Sequence, residues 1–316
     1  MAIAPNPNFP SGLDIHPLGS AVSDSDARFD SVAQEGAIKT YGIAGRIWEA
    51  SHAMLAYLDP TSPLEFDPPP PTFASTARRP ITAIELGSGT GFVAASVAEW
   101  LRPESDLLIA TDLPDVCTLL EMNLRASPAV WVRPLAWGSE EHVRSISDQL
   151  GLLKPEPHAR RLTHILCSDL IYFPALLAPL LRSLIHLTST PFVDVISAEP
   201  PLVLLSYKMR SLPKETPFWN AFGLWFEFVP VLARRRRTNK ETTVEGGEVA
   251  PWLRFSPGDV SDETFVFVAQ RRPESLKWTV PEDDSALLSG IGAYFSESPK
   301  SDDQFEQLLL MGMDMS

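Results

Sequence analysis

The run Glu85-Leu86-Gly87-Ser88-Gly89-Thr90-Gly91 ends an apolar segment in a carboxylate and follows it with three alternating glycines. Glycines in that pattern let the backbone turn tightly and approach a bound group. The helix that follows would aim its free N–H groups at the same place. A dinucleotide loop reads G-x-G-x-x-G, so the spacing here differs, and Glu85 would set a negative charge beside a pyrophosphate at low dielectric. A ligand carrying a sulfonium and an α-ammonium but no phosphate suits both features, which is the description of S-adenosylmethionine. Asp112 closes a second apolar run, Leu107-Leu108-Ile109-Ala110-Thr111, and is expected to accept hydrogen bonds from ribose hydroxyls. Glu85, Gly87, Ser88, Gly89 and Asp112 are therefore expected to bind the cofactor. Either piece alone reads as a surface turn or an unrelated strand-end acid; the ordered pair does not.

A second group follows in Cys167-Ser168-Asp169-Leu170-Ile171-Tyr172-Phe173-Pro174. In an open α/β sheet, ligands sit outside the carboxyl ends of the strands, so Asp169 and Tyr172 are expected to face the same crevice as Gly87 and Asp112. There a carboxylate can hold an acceptor ammonium, and an aromatic ring can line the channel and favour cationic groups. The plain structural alternative is a helix-capping Asp followed by a packing Tyr.

The elements that must carry these groups follow from periodicity. Strands are expected near 81–86, 107–111, 129–134 and 162–168, with helices near 91–102, 115–126, 139–150 and 174–188. For the fifth strand both Phe192–Ile196 and Leu202–Tyr207 qualify, and the second is chosen. A helix around Pro217–Phe222 and strands around Trp225–Leu232 and Glu263–Ala269 complete the domain, the last two as a hairpin whose loop holds Arg234 to Gly247. The fold expected is α/β, a mostly parallel sheet with helices on both faces. Residues 1–35 read as a disordered arm, 36–60 as an N-terminal helical segment with its helix over Gly45–Tyr57, and 61–80 as a Pro-rich extended spacer. Residues 81–275 form the catalytic domain, and 276–316 an acidic, mostly flexible tail with a short amphipathic piece at Phe305–Met311.

Composition narrows the partners. A chain of 316 residues, 44% apolar, can bury a full core, and its 30 prolines assign part of it to loops. A formal charge of −14 argues against stable nucleic-acid binding and for a basic partner. The basic run Arg234–Arg237 reads mainly as a solvated hairpin end. No apolar run spans a membrane and the prolines near the N-terminus interrupt any signal-peptide core, so a cytoplasmic protein is expected. The two cysteines, Cys117 and Cys167, read as small apolar residues, and the six histidines lack ligand spacing, so no metal is expected.

The chain resembles the seven-β-strand protein-lysine methyltransferases of methyltransferase family 16. Five signatures occur in order: Trp48-Glu49, Glu85 to Gly91, Asp112, Trp137-Gly138 and Asp169 to Tyr172. The resemblance covers roughly Tyr41 to Arg271 and includes Ser206-Tyr207-Lys208-Met209-Arg210 after the fifth strand. It implies a class I, Rossmann-like fold of seven strands and transfer of a methyl group from S-adenosylmethionine to a lysine. It also implies that Trp48 flanks the methionine end, that Trp137 packs near the adenine and that Ser168 lines the cofactor, where unaided reading gives the two tryptophans ordinary core packing. The segment Tyr41 to Ala50 looks most like fungal enzymes acting on translation elongation factor 1 alpha, which makes that basic protein the expected partner of a monomeric enzyme. The same fold acting on RNA or a small amine, and a non-catalytic scaffold, are the competing readings. The acid is followed by Leu170-Ile171-Tyr172 rather than Pro-Pro-Tyr/Phe, which argues against a planar amide or base nitrogen as acceptor.

Overall fold

The computed structural model describes residues 7–10, 12–19, 25–75, 78–153, 159–193, 200–236, 250–257 and 263–313. In chain order, α1 (Ser31–Tyr41) and a 3-10 turn at Gly42–Gly45 lead to α2 (Glu49–Leu58) and β1 (Leu64–Asp67). The strand and helix alternation follows: β2 (Thr82–Leu86), α3 (Phe92–Ala98), β3 (Leu107–Asp112), α4 (Pro114–Leu124), β4 (Val130–Pro134), α5 (Glu140–Gln149), β5 (His164–Ser168), α6 (Pro174–Leu187) and β6 (Leu202–Lys208). Then come α7 (Leu212–Trp225), β7 (Phe226–Pro230), β8 (Leu232–Arg235), β9 (Leu253–Arg254), β10 (Thr264–Arg271), α8 (Asp284–Leu288) and α9 (Gln304–Met313).

Seven strands form one sheet in the order β4-β3-β2-β5-β6-β10-β7. The pairs from β4 through β6 are parallel, and β10 runs antiparallel between β6 and β7. Strand side chains point to opposite faces in turn, so Ile84, Leu86, Ile109, Ile165 and Leu205 join one apolar cluster. Ala83, Leu108, Ala110, Leu166 and Leu204 join the other. Helices α5, α6 and α7 cover the first face and α2, α3 and α4 the second. The sheet reverses its direction of growth between β2 and β5, so the carboxyl ends of β2, β3 and β5 open onto one crevice.

Four expectations need correction. Residues 25–35 are ordered rather than an arm: Asp30 caps α1 by accepting from Ala33 N–H, and Phe29 and Gln34 are buried. The helix expected over Gly45–Tyr57 begins only at Glu49, because Trp48 is extended at φ −102°, ψ 151°. The Pro-rich spacer contains a strand: β1 pairs antiparallel with β8, with Glu65 opposite Arg234 in a 2.8 Å ion pair. Arg234 and Arg235 thus lie within a strand of a small second sheet, β1-β8-β9, and the chain between β7 and β10 is an excursion through it rather than a simple hairpin loop. Arg237 to Gly247 lie outside the described residues.

The fourth correction concerns the tail, which folds back on α7. Phe305 is buried and stacks on Trp219 with centroids 4.4 Å apart and ring planes 7° apart, while Trp278 meets Trp225 at 5.3 Å. Arg182 on α6 donates to Asp284 at 2.8 Å, fixing α8. The acidic count of the tail describes its outer face; its apolar residues answer to the core.

Candidate functional site

The crevice is a cavity of about 320 Å³, within the range that takes a small ligand. All ten residues expected at the site line it: Trp48, Glu85, Gly87, Ser88, Gly89, Asp112, Trp137, Ser168, Asp169 and Tyr172. The loop after β2 is stitched to the tip of β3. Ser88 N–H donates to Thr111 O at 2.9 Å, Thr111 N–H donates to Ser88 Oγ at 3.1 Å, and Thr111 Oγ1 donates to Glu85 O at 2.6 Å. Asp112 accepts from Gly89 N–H at 2.8 Å and Leu113 N–H at 2.7 Å, one on each oxygen, which leaves a lone pair on each for a ligand diol. Gly89 sits at φ 54°, and a Cβ there would stand 2.9 Å from Ala44 O, so glycine is what lets the loop meet the segment before Trp48.

The floor of the cavity carries two buried carboxyl groups, Glu85 and Asp112. Glu85 is 2% exposed and its Oε2 is buried with no hydrogen-bond partner. Burial pushes its carboxyl up to about 8, with Asp112 adding to the shift. Burial likewise raises Asp112 to about 6, against the two backbone N–H groups that favour its charge. An orphaned carboxyl oxygen beside a second acid is a site waiting for a cationic donor, and an α-ammonium meets that need.

Aromatic rings form the walls. Trp48 donates through Nε1 to Ile43 O at 3.0 Å, and Arg46 lies over its ring at 4.2 Å. Trp137 and Tyr172 meet edge to face at 6.3 Å, and Phe173 backs Tyr172 at 4.8 Å. Leu135 N–H donates to Asp112 O at 2.8 Å and Gly138 N–H to Ser183 Oγ at 2.8 Å, which sets the turn carrying Trp137 against β3 and α6. Burial raises the Tyr172 phenol well above its usual range, with Asp112 and Asp169 adding to it, so it stays a neutral donor.

Asp169 departs from the simple picture of a free acid. It occupies the left-handed region at φ 62°, with its N–H donating to Ser206 O at 2.8 Å. Both its oxygens are taken by Arg210, whose guanidinium donates at 2.7 and 2.5 Å. Arg210 also lies 5.3 Å from the centre of the Trp48 ring and lines the cavity. The acid expected to hold an ammonium is thus half of an ion pair. In the sequence Arg210 closes the segment Ser206 to Arg210 and carries no site signal beyond its position two residues past β6. Arg46, Phe173, Pro7, Asn8 and Leu13 also line the cavity and were not anticipated.

Among the described residues no cluster of histidine, cysteine and acids could hold a metal, and no helix is long and apolar enough to cross a membrane. Cys167 is buried and Cys117 partly exposed, both as free thiols.

Solved structures that resemble the chain include Aeropyrum pernix fibrillarin with natively bound S-adenosyl-L-methionine, at 12% identity, covering 71% of this chain and 76% of that one with a TM-score of 0.39. An O-methyltransferase from Bacillus cereus in complex with SAH is 10% identical over 80% of this chain and 98% of its own, TM-score 0.37. The CurJ carbon methyltransferase is 14% identical over 62% of this chain, TM-score 0.37, and the match spans 50% of that longer protein. A family model described as lysine methyltransferase matches residues 31–222, more than half of the 316 residues. The chain belongs to that lysine methyltransferase family, whose methyl donor is S-adenosylmethionine.

Proposed function

We propose that this protein transfers a methyl group to the side-chain amine of a lysine in a basic protein, and that translation elongation factor 1 alpha is that protein. The observation that carries the reading is the meeting of two groups in one cavity: the acid-floored glycine loop, and the pair Asp169–Tyr172 with its aromatic surround. The cofactor, when bound, supplies a methyl carbon made electrophilic by a positively charged sulfur. Glu85 would hold the α-ammonium, Asp112 the ribose hydroxyls, Trp48 and Trp137 the two ends, and Gly87, Ser88, Gly89 and Ser168 the backbone approach.

The acceptor nitrogen must arrive with its lone pair free, because the new C–N bond forms as the C–S bond breaks. A lone buried carboxylate would oppose this by stabilising the ammonium. Asp169 paired with Arg210 is close to neutral as a unit, so it can accept an N–H from an uncharged amine without raising its pKa. Tyr172 and Phe173 narrow the channel and exclude water around the nitrogen, and the surplus proton leaves to solvent at the mouth. The net charge of −14 steers a basic partner toward the enzyme; elongation factor 1 alpha itself rests on the resemblance of Tyr41 to Ala50.

The test is labelled methyl transfer into an extract from cells lacking this protein, followed by mass spectrometry of the labelled band. Label on a lysine of a protein supports the reading. Label in RNA or in a small amine would replace the acceptor, and no label at all would favour a scaffold.

A further inference from the structure

Residues 7–10 and 12–19 form no helix or strand, yet part of this segment borders the cavity. Pro7, Asn8 and Leu13 line it together with Glu85, Gly89 and Trp48. One end is docked by backbone contact: Ile43 N–H donates to Asn8 O at 2.9 Å, and Asn8 is 8% exposed. That contact depends on Gly42, at φ 58°, where a Cβ would stand 1.8 Å from Asn8 O. The other end is held by the buried Gln34, whose amide donates to Leu18 O at 2.9 Å and accepts from Leu18 N–H at 3.1 Å. The same amide donates to Phe29 O and accepts from Ile47 N–H, so one side chain ties the segment to α1 and to the residue before Trp48. Two residues before Leu18, His16 O accepts from Arg46 at 2.8 Å, and Arg46 also lies over Trp48 and pairs with Glu49.

We propose that the described residues 7–10 and 12–18 are a strap that closes over the bound methyl donor and governs its release. The proposal rests on the reading of the cavity as the cofactor site. Between the anchors, Phe9 and Leu13 are about half exposed, so the described part of the span is lightly packed. A segment so held opens locally at a small fraction of the free energy of global unfolding, as a lid must. Closed, it places the apolar Pro7 and Leu13 against a cavity whose floor holds two carboxyl groups, and water exclusion there strengthens every charge contact with the ligand. Arg46 touches both the strap and the Trp48 ring, so closure of the strap bears on the side chain that lies over Trp48.

The experiment uses the full chain and S-adenosylhomocysteine as probe. Hydrogen exchange of the amides in residues 7–18 and of Ile43 is followed with and without saturating probe, and release is timed by stopped-flow displacement. Exchange is expected to slow in the complex. Gly42→Ala, which drives a methyl group into Asn8 O, should abolish that slowing and release the probe about tenfold faster or more, with Kd rising in parallel. Equal exchange of the wild-type strap in both states overturns the proposal even if Gly42→Ala fails to fold, as does a folded Gly42→Ala that releases at the wild-type rate. A wild-type protein that binds no S-adenosylhomocysteine overturns the cofactor reading and the strap with it, whereas tight binding indifferent to the strap overturns the strap alone.

Discussion

Replacing Glu85 with glutamine should make the cofactor-free protein more stable, by an amount that grows with pH. An unfolded chain releases this carboxyl proton near 4.5, whereas burial holds the folded carboxyl up to about 8. Below pH 4.5 both states carry the proton and the shift is without effect. Between 4.5 and 8 the unfolded state ionises and the folded state does not, so stability falls as pH rises and levels off above 8. At about 1.4 kcal/mol per pH unit, the ceiling on the loss is about 5 kcal/mol, and because Glu85 is 2% exposed solvent does little to screen it. Glutamine keeps the shape without the titration. Urea unfolding of both proteins at pH 5, 6.5 and 8 should show the glutamine advantage grow from about 1 to about 4 kcal/mol, while Asp112 and the surface groups largely cancel in the difference. A difference that stays constant across that range would refute the reasoning, since it would mean that Glu85 ionises alike in both states. With S-adenosylmethionine bound, the α-ammonium should charge Glu85, so calorimetry at pH 7 in buffers of different ionisation enthalpy should detect most of a proton released by the wild type and none from the variant.

Three further outcomes follow. Asp112→Ala should weaken S-adenosylmethionine binding by about 1–3 kcal/mol in titration calorimetry, the loss of one or two buried hydrogen bonds. Arg210→Gln frees the Asp169 carboxylate to stabilise an acceptor ammonium, so the half-maximal pH of kcat should move up by about one unit and return toward wild type in Arg210→Lys; an unmoved limb removes Arg210 from the positioning of the acceptor. Phe305→Ala should lower stability by about 3–5 kcal/mol, read as a fall in the thermal midpoint, because the ring stacks on Trp219 in a closed core.

How much of this was legible in the sequence depended on whether the signal was local. Strands β2 to β5 announce themselves as short apolar runs bounded by glycine, proline or an acid, whereas β6 competes with a second apolar run at Phe192–Ile196, and the alternation of strand and helix puts the carboxyl ends of parallel strands on one edge of the sheet. Glu85, Asp112 and Asp169 could therefore be brought together before any coordinates. The pairing of β1 with β8 could not, because four residues between prolines carry no periodicity and their partner lies more than 160 residues away. Nor could the fate of the tail: Phe305 looks amphipathic by spacing, but only the aromatic surface around Trp219 decides that it is buried. Arg210 carries no local signal at all. Its charge reads as surface until β6 and the turn at Asp169 are set side by side, and then it neutralises the very acid that the motif presents. The segment around Asn8 failed for a similar reason, since its order comes from Gly42 and Gln34 rather than from its own composition.

The proposed function requires that one cavity join a sulfonium donor to a lysine acceptor through Asp169. It is tested most directly by purified wild type and Asp169→Asn, each given tritiated S-adenosylmethionine and elongation factor 1 alpha, with cofactor affinity measured in parallel. Label is expected on a lysine with the wild type, with transfer lowered by about a hundredfold or more in the variant and cofactor Kd within about threefold of wild type. Transfer by Asp169→Asn at the wild-type rate, or label on any group other than a lysine nitrogen, would contradict it.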